Sequence, residues 1–392
     1  MNTNPESKYD RRGVSADKGE VHQAVKHLDK GLFPNAFCKI LPDLAAGKPD
    51  YVNIMHADTA GTKTSLAYIY WRETGDHSVW KGIVQDSIVM NLDDMACAGA
   101  LHDIILSSTI GRNKHYITGE VLSHLISAST EFAQKMARYG IWLHLAGGET
   151  ADVGDIVRTL DVGFTAFARL PKEDVIDIRI KPGNVIVGFA SYGKADWEEE
   201  YNGGMGSNGL TSARHDVFAN TYAQKYPESF DSVNMPEDLA YAGKLSLTDL
   251  EPETGIPYGK LVLSPTRTYL PLLLQIVPRF KSQIDGIIHC TGGGQTKVLK
   301  FTERVHIIKD NLLPIPPLFR IIKEQSGTDA KEMYKVFNMG HRLEIYTDAA
   351  TAGEMIAMSE SMGIEAQIIG RVEASETNRL TVRSSWGEFN YE

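Results

Sequence analysis

The sequence predicts an α/β protein of two domains, and three observations carry that prediction. Apolar residues alternate with period 2 in some stretches and recur at helical spacing in the stretches between them, the pattern of sheets covered by helices. The chain is 392 residues long, and at roughly 150 residues per domain that length exceeds one ordinary core. A charged stretch with two prolines, residues 170–183, separates two strand-like runs and marks a junction near Pro171. The domains are therefore expected at 1–170 and 171–392.

Within the first domain, residues 52–57 predict a strand and 61–75 the helix that follows it. A second helix is expected over 79–98 and a strand over 103–108. After Thr118, Val121, Leu125, Phe132 and Met136 fall on one helical face, and Gly140 stops that helix. Strands 141–146 and 159–168 complete this half. In the second domain, 184–190, 286–290, 342–347 and 364–372 predict strands, and 208–223, 266–280 and 348–362 predict helices. Residues 192–206 and 224–253 lack periodicity and are expected to be loops or insertions, functional or mobile.

Composition narrows the functional class. With 42% hydrophobic and 23% charged residues the chain matches a soluble globular protein. Its 40 Lys and Arg against 50 Asp and Glu give a net charge of −10, without the basic footprint of a nucleic-acid binder. Any phosphorylated partner must be met locally. Cys38, Cys97 and Cys290 are far apart, which excludes a disulfide framework or a cysteine zinc site. The first 12 residues are polar with no apolar segment behind them, and no apolar run approaches the ~18 residues of a membrane span. A cytoplasmic protein with no membrane partner is expected.

Asp58 follows an apolar strand and precedes Thr59-Ala60-Gly61-Thr62-Lys63-Thr64, a small-residue turn entering a helix. A carboxylate, a cation and unpaired N–H groups at a helix start suit a phosphate, although an ordinary Asp/Thr cap has the same residues. The phosphate-binding P-loop pattern is absent, because Lys63 follows Thr62 and not a glycine. On the next helix Asp86 and Asp93 lie two turns apart on one face, with Asp94 beside them. Clustered carboxylates on an apolar helix call for a cation or a solvated face, and hard oxygen ligands suit Mg²⁺ shared with phosphates. The third group is Gly147-Gly148-Glu149-Thr150-Ala151-Asp152 at a strand end, either a ligand-binding edge or a glycine turn with exposed acids. His289 and Thr291-Gly292-Gly293-Gly294 repeat that logic in the second half. Gly204-x-Gly206-x-x-Gly209 matches the dinucleotide fingerprint only as a string, since an acidic stretch precedes it and not a buried strand.

Taken in order, the strings 9–19, 58–63, Asp94-x4-Gly99-Ala100, 147–152, Ser207-Asn208-Gly209, 264–269, 289–294, Pro316-Pro317 and 332–340 resemble the aminoimidazole ribonucleotide (AIR) synthase family, the phosphoribosylformylglycinamidine cyclo-ligases. The resemblance spans nearly the whole chain. It implies a two-domain AIR-synthase-like ATP-binding fold whose N-terminal domains pair in a homodimer, with ATP and Mg²⁺ in an acidic cleft. By that resemblance Asp58, Asp86, Asp94 and Glu149 are the metal carboxylates. Gly61, Thr62, Lys63, Gly147, Gly148 and Thr150 join them around ATP, and Asp58, Lys63, Asp94 and His289 are the catalytic set. Ser207, Asn208, Gly209, Thr266, Arg267, Gly292 and Gly293 would hold a phosphorylated ribonucleotide. The chain departs from the family at His102 in place of a proline, at a reduced N-terminal glycine loop over 30–36, at Gly206 before Ser-Asn-Gly, and at Gln295-Thr296-Lys297 after the triple glycine. It resembles a divergent branch with rearranged substrate contacts.

The resemblance implies ATP-dependent ring closure of formylglycinamidine ribonucleotide through an iminophosphate. The alternatives are a related phosphotransferase, such as thiamine monophosphate kinase, and a non-catalytic nucleotide-binding protein. The strings 265–267 and 337–340 favour the cyclo-ligase.

Overall fold

Two sheets partition the chain. In the computed structural model residues 8–14 and 23–392 are described, so residues 15–19 of the string 9–19 lie outside the described residues. The first sheet contains β1 (Ile40–Pro42), β2 (Tyr51–Thr59), β3 (Ile104–Arg112), β4 (Leu143–Asp152) and β5 (Leu160–Pro171), in the order β1-β2-β5-β3-β4. Only β3 and β4 run parallel. The second sheet contains β6 (Val185–Ala190), β9 (Gly286–His289), β10 (Val305–Lys309), β11 (His341–Thr347), β12 (Ala366–Ala374), β13 (Arg379–Ser384) and β14 (Gly387–Tyr391), in the order β14-β13-β10-β12-β6-β11-β9. A short ribbon, β7 (Tyr192–Gly193) with β8 (Asn202–Gly203), stands apart.

The first sheet is covered on one face. The helices Lys63–Thr74, Val79–Ala96 and Gly119–Ala137 pack there. On β2 the side chains alternate, with Val52 and Ile54 fully buried against the helices and Met55, Ala57 and Thr59 exposed on the other face. That second face stays open: Met55 is 64% and Ile105 43% exposed, and Phe167, paired in register with both, is only partly buried.

The helix Val79–Ala96 is the spine of the molecule. All of its residues except Lys81 and Gln85 are buried, because the first sheet lies on one side and the second domain closes the other. A helix apolar on most of its circumference belongs in a core, and this one carries its three aspartates inward. Among the described residues no helix is long and apolar enough to cross a membrane.

Several elements differ from expectation in instructive ways. The helix expected over 208–223 breaks into Leu210–Val217 and Thr221–Lys225, and the one expected over 266–280 begins only at Leu270, since residues 264–269 run extended across the spine helix. The run 224–253 is no loose loop: Tyr226, Phe230, Leu239, Tyr241 and Leu247 are buried in it. Lacking a period, its apolar residues gave no element to assign. The strands β10, β13 and β14 and the helices Pro317–Ser326 and Ala330–Val336 had no counterpart in the sequence reading.

Candidate functional site

Each aspartate of the spine helix meets a different group across the domain boundary. Asp86 Oδ1 accepts from Lys63 Nζ at 2.9 Å, from the Thr266 N–H at 2.7 Å and from the Thr266 hydroxyl at 2.6 Å. Asp93 accepts from the Thr268 hydroxyl at 2.7 Å and from the Tyr269 N–H at 3.1 Å. Asp94 Oδ1 pairs with His289 Nδ1 at 2.7 Å, and its Oδ2 lies 3.5 Å from His56 Nε2. The expected cluster therefore does not converge on one point. Its charge is met by hydrogen bonds from residues 266–269 and 289, which serve where a cation or solvent was expected.

Lys63 is correspondingly not exposed to a ligand. Its ammonium is fully buried and donates to Asp86, to the Gly206 carbonyl at 3.1 Å and to the Ser264 carbonyl at 2.6 Å. Burial draws the Asp86 carboxyl up and the Lys63 ammonium down, and the charge of each opposes the other's shift. Asp86 Oδ2 is sealed from solvent without a partner. The two residues form a clasp between domains, and both charges, expected at a phosphate and a metal, are engaged with protein groups in this geometry.

The string 264–269 explains itself once the clasp is seen. Thr266 and Thr268, two residues apart in extended chain, both point at the spine helix. Arg267 between them points the other way, into Glu198 and the carbonyls of Ala190 and Tyr192 at 2.9 and 2.7 Å. Thr266 and Arg267 are both fully buried. They hold the wall of the cleft and are not placed to touch a substrate.

His289 is held from both sides. Arg342 Nε can only donate, and it reaches His289 Nε2 at 3.2 Å, so that nitrogen carries the lone pair and the imidazole proton sits on Nδ1, donated to Asp94. With both nitrogens engaged and the ring fully buried, His289 orients Asp94 and does not itself face a substrate. Burial alone would raise the Asp94 carboxyl, but the His289 hydrogen bond and the nearby charges, Lys297 among them, hold it below the ordinary carboxylate value. Asp94 is thus an anion whose second oxygen faces His56.

Glu149 lies elsewhere. The motif at 147–152 is not a turn: it is the second half of β4, an edge strand exposed along most of its length. Register places Glu149 in line with Thr109, Gly163 and Thr59, the row that faces the open side of the sheet, whereas Asp58 shares its row with Phe164 and faces the helices. β2 and β4 are also three strand spacings apart, about 14 Å. Glu149 and Thr150 thus sit away from Asp58 and Asp94 within one chain. Gly148 is needed where it stands, since a Cβ there would lie 2.1 Å from the Ser108 carbonyl oxygen, while Gly147 has φ +86° with open space around it.

What the fold does bring together are three turns. The turn after β2, with Asp58 half-exposed and Gly61 at φ +60°, touches the turn 207–211 where Thr62 Oγ1 meets Thr211 Oγ1 at 2.8 Å. Ser207 Oγ lies 3.2 Å from Thr266 Oγ1, and a Cβ on Gly292 would sit 3.6 Å from Asn208 Nδ2. Gly293, at φ +98°, begins the helical turn Gly294–Lys300. That turn is anchored from below, with Gln295 Nε2 donating to the Asn338 carbonyl at 2.6 Å and Lys309 Nζ to the Gln295 carbonyl at 2.9 Å. The turn bearing Asp58, Gly61 and Thr62 thus meets the turn 207–211, and that turn in its own right meets the glycine loop at Gly292. The sequence reading missed His56, Arg342 and Lys309, whose lone positions in strands gave no signal of their partners.

Gly209 fixes the middle turn. It has φ +78°, and a Cβ there would fall 2.4 Å from Phe337 Cε1. Gly209→Ala combines a left-handed backbone with a clash against a packed ring. We expect it to cost about 2–3 kcal/mol of stability, read as a lowered urea midpoint; an unchanged midpoint would show that the turn relaxes freely.

The geometry can be compared with known proteins. Residues 41–170 match the family described as AIR synthase related protein, N-terminal domain, and residues 181–383 match its C-terminal domain. The phosphoribosylformylglycinamidine cyclo-ligase of Methanocaldococcus jannaschii is 29% identical over 328 residues, 82% of this chain and 79% of that protein. The protein of the same name from Saccharolobus solfataricus is 25% identical over 383 residues, 96% of each. Among solved structures, a chain of the HypE-HypF complex superposes with a TM-score of 0.56 at 15% identity, covering 96% of this chain and 99% of that one. AaThiL, solved with AMPPCP and TMP, superposes with a TM-score of 0.53 at 10% identity, covering 96% and 97%. These two likenesses bear on the fold alone. With both halves matched, and the two sheets dividing where the matches divide, the chain belongs to the AIR synthase related protein family.

Proposed function

We propose that the protein uses ATP to close the imidazole ring of formylglycinamidine ribonucleotide, giving aminoimidazole ribonucleotide. The relatives' names support the reaction. The observation that carries it structurally is the meeting of the turns at 58–64, 207–211 and 289–297 around an ionised Asp94. An amide oxygen is a poor leaving group. Moving the γ-phosphoryl group onto the formyl oxygen makes it a good one, after which the substrate's own amidine nitrogen attacks, loses its proton, and phosphate departs. Such chemistry asks the protein mainly for alignment and charge neutralisation.

ATP reacts as its magnesium complex, and the ion would supply charge neutralisation at the phosphates. The donors that fit it are the hard oxygens of Asp58 and Asp94, both on the cleft side of the first domain, while Asp86 is sealed in its clasp and Glu149 faces away. His289 and Arg342 keep the Asp94 carboxylate oriented.

On this reading residues 1–170 form the nucleotide-binding and pairing unit, and 171–392 supply the other wall. The open face bearing Met55, Ile105 and Phe167 supports pairing of two N-terminal domains in a homodimer, which would cover an apolar sheet surface otherwise left wet. All three cysteines are free and buried, in keeping with a cytoplasmic enzyme.

The test is direct. Purified protein with ATP, Mg²⁺ and formylglycinamidine ribonucleotide should yield aminoimidazole ribonucleotide and ADP in equal amounts. ADP without the ring-closed product would point to a different phosphoryl acceptor, and no ADP at all would point to a binding protein.

A further inference from the structure

Two histidines and a glutamate meet where the three helices that cover the first sheet adjoin. His77 lies in the link between the helices Lys63–Thr74 and Val79–Ala96, and Glu120 and His124 stand four residues apart, on one face, at the start of Gly119–Ala137. One donor atom from each of the three lies within 4.8 Å of the other two. The His77 and His124 rings stack, with centroids 4.4 Å apart and planes inclined by 28°.

The contacts of His77 are unusual. Trp71 Nε1 can only donate, and it reaches His77 Nε2 at 3.2 Å, so Nε2 carries the lone pair and Nδ1 the proton. The same Nε2 lies 3.7 Å from Glu120 Oε1, beyond hydrogen-bond reach, and both atoms are acceptors. Nδ1 is sealed from solvent without a partner. Hydrogen bonds inside the protein therefore do not account for where this ring sits. Among the described residues Glu120 has no Lys or Arg partner and the His124 ring makes no hydrogen bond.

Two imidazoles and one carboxylate are a ligand set for a late first-row divalent ion, and Zn²⁺ takes such donors at about 2.0–2.2 Å. Tetrahedral ligands at that length stand about 3.4 Å apart, so the three donors need to close by about an ångström. Glu120, with a side chain 68% exposed, is free to make that movement. Coordination at His77 Nε2 takes its lone pair from the Trp71 N–H, at the expense of one neutral hydrogen bond. Mg²⁺ prefers an all-oxygen shell and is poorly served here, in contrast to the oxygens of Asp58 and Asp94.

We infer that His77, Glu120 and His124 form a site for a divalent transition-metal ion of the Zn²⁺ class, with His77 Nε2, a Glu120 oxygen and a His124 ring nitrogen as ligands. The ion would tie the link before the spine helix to the first turns of Gly119–Ala137. The site stands independently of the proposed function.

Zn²⁺ is titrated calorimetrically into the metal-free, untagged full chain and into its His124→Gln, Glu120→Gln and Asp94→Asn variants, with near-UV circular dichroism as the control for folding. The unaltered chain and Asp94→Asn should show the same tightest equivalent. His124→Gln and Glu120→Gln should each weaken it by at least about tenfold. About a hundredfold excess of Mg²⁺ should not displace it. Absence of a Zn²⁺ equivalent, or unchanged affinity in either ligand variant, would overturn the site. Loss of the equivalent in Asp94→Asn would overturn it in favour of Asp94 with His56 and His289, and displacement by Mg²⁺ would overturn its transition-metal character.

Discussion

Asp94→Asn should lower kcat by two to three orders of magnitude while the protein folds as before. Asparagine keeps the size of the side chain and an acceptor for His289 Nδ1–H, the bond seen at 2.7 Å, so packing and the Arg342–His289–Asp94 chain survive. What is lost is a full negative charge at the carboxylate of the spine helix whose second oxygen lies 3.5 Å from the half-buried His56. Groups that stabilise charge in a preorganised, partly dry site are worth about 3–4 kcal/mol of barrier each. Steady-state turnover at saturating ATP, with thermal unfolding as the control, decides it. A variant with near-normal kcat would remove Asp94 from the phosphate-handling machinery and would shift that role to Asp58.

The sequence indicated which segments the fold brings together more readily than which of their side chains are turned toward one another. Asp58, Asp94 and the triple glycine were found from local chemistry and Ser207-Asn208-Gly209 from the resemblance, and contacts link the turns that carry them, Thr62 to Thr211 and Asn208 to Gly292. Lys63 and Asp86 were found by local chemistry and Thr266 and Arg267 by the resemblance, and all four side chains are buried in contacts within the protein. A buried charge has two uses, to meet a ligand or to meet another buried charge, and a one-dimensional pattern does not say which. Lys63 and Asp86 are 23 residues apart, and nothing between them indicates that they touch. Glu149 stands apart from Asp58 and Asp94 for a different reason. Glycines at 147 and 148 read as a turn, but the chain continues as an edge strand, where alternate residues face opposite ways and one step of register decides the side. The fold was legible where period and length agreed, as in the helices Val79–Ala96 and Gly119–Ala137, and illegible in 224–253, where buried aromatic residues hang on short turns.

The interdomain clasp sets the second large effect, and it concerns stability. Lys63→Met should destabilise the protein by about 3–5 kcal/mol near pH 8, because it leaves the Asp86 carboxylate desolvated with only Thr266 as donor. The sign of the pH dependence follows from Asp86. Burial already raises its carboxyl above the ordinary value, and losing the Lys63 charge, which pulls the other way, raises it further. A group whose folded pKa lies above its unfolded one contributes stability below the unfolded pKa and loses it as pH rises, so the deficit of Lys63→Met should shrink on going from pH 8 toward pH 5. Lys63→Met combined with Asp86→Asn, which removes the stranded charge altogether, should recover part of the loss at pH 8 and show little of that pH dependence. Urea midpoints of the three proteins at both pH values test this. If Lys63→Met were as stable as the unaltered chain, or equally impaired at both pH values with no recovery in the double variant, the Lys63–Asp86 contact would not be the charged clasp between the domains, and Lys63 would again be available to a phosphate.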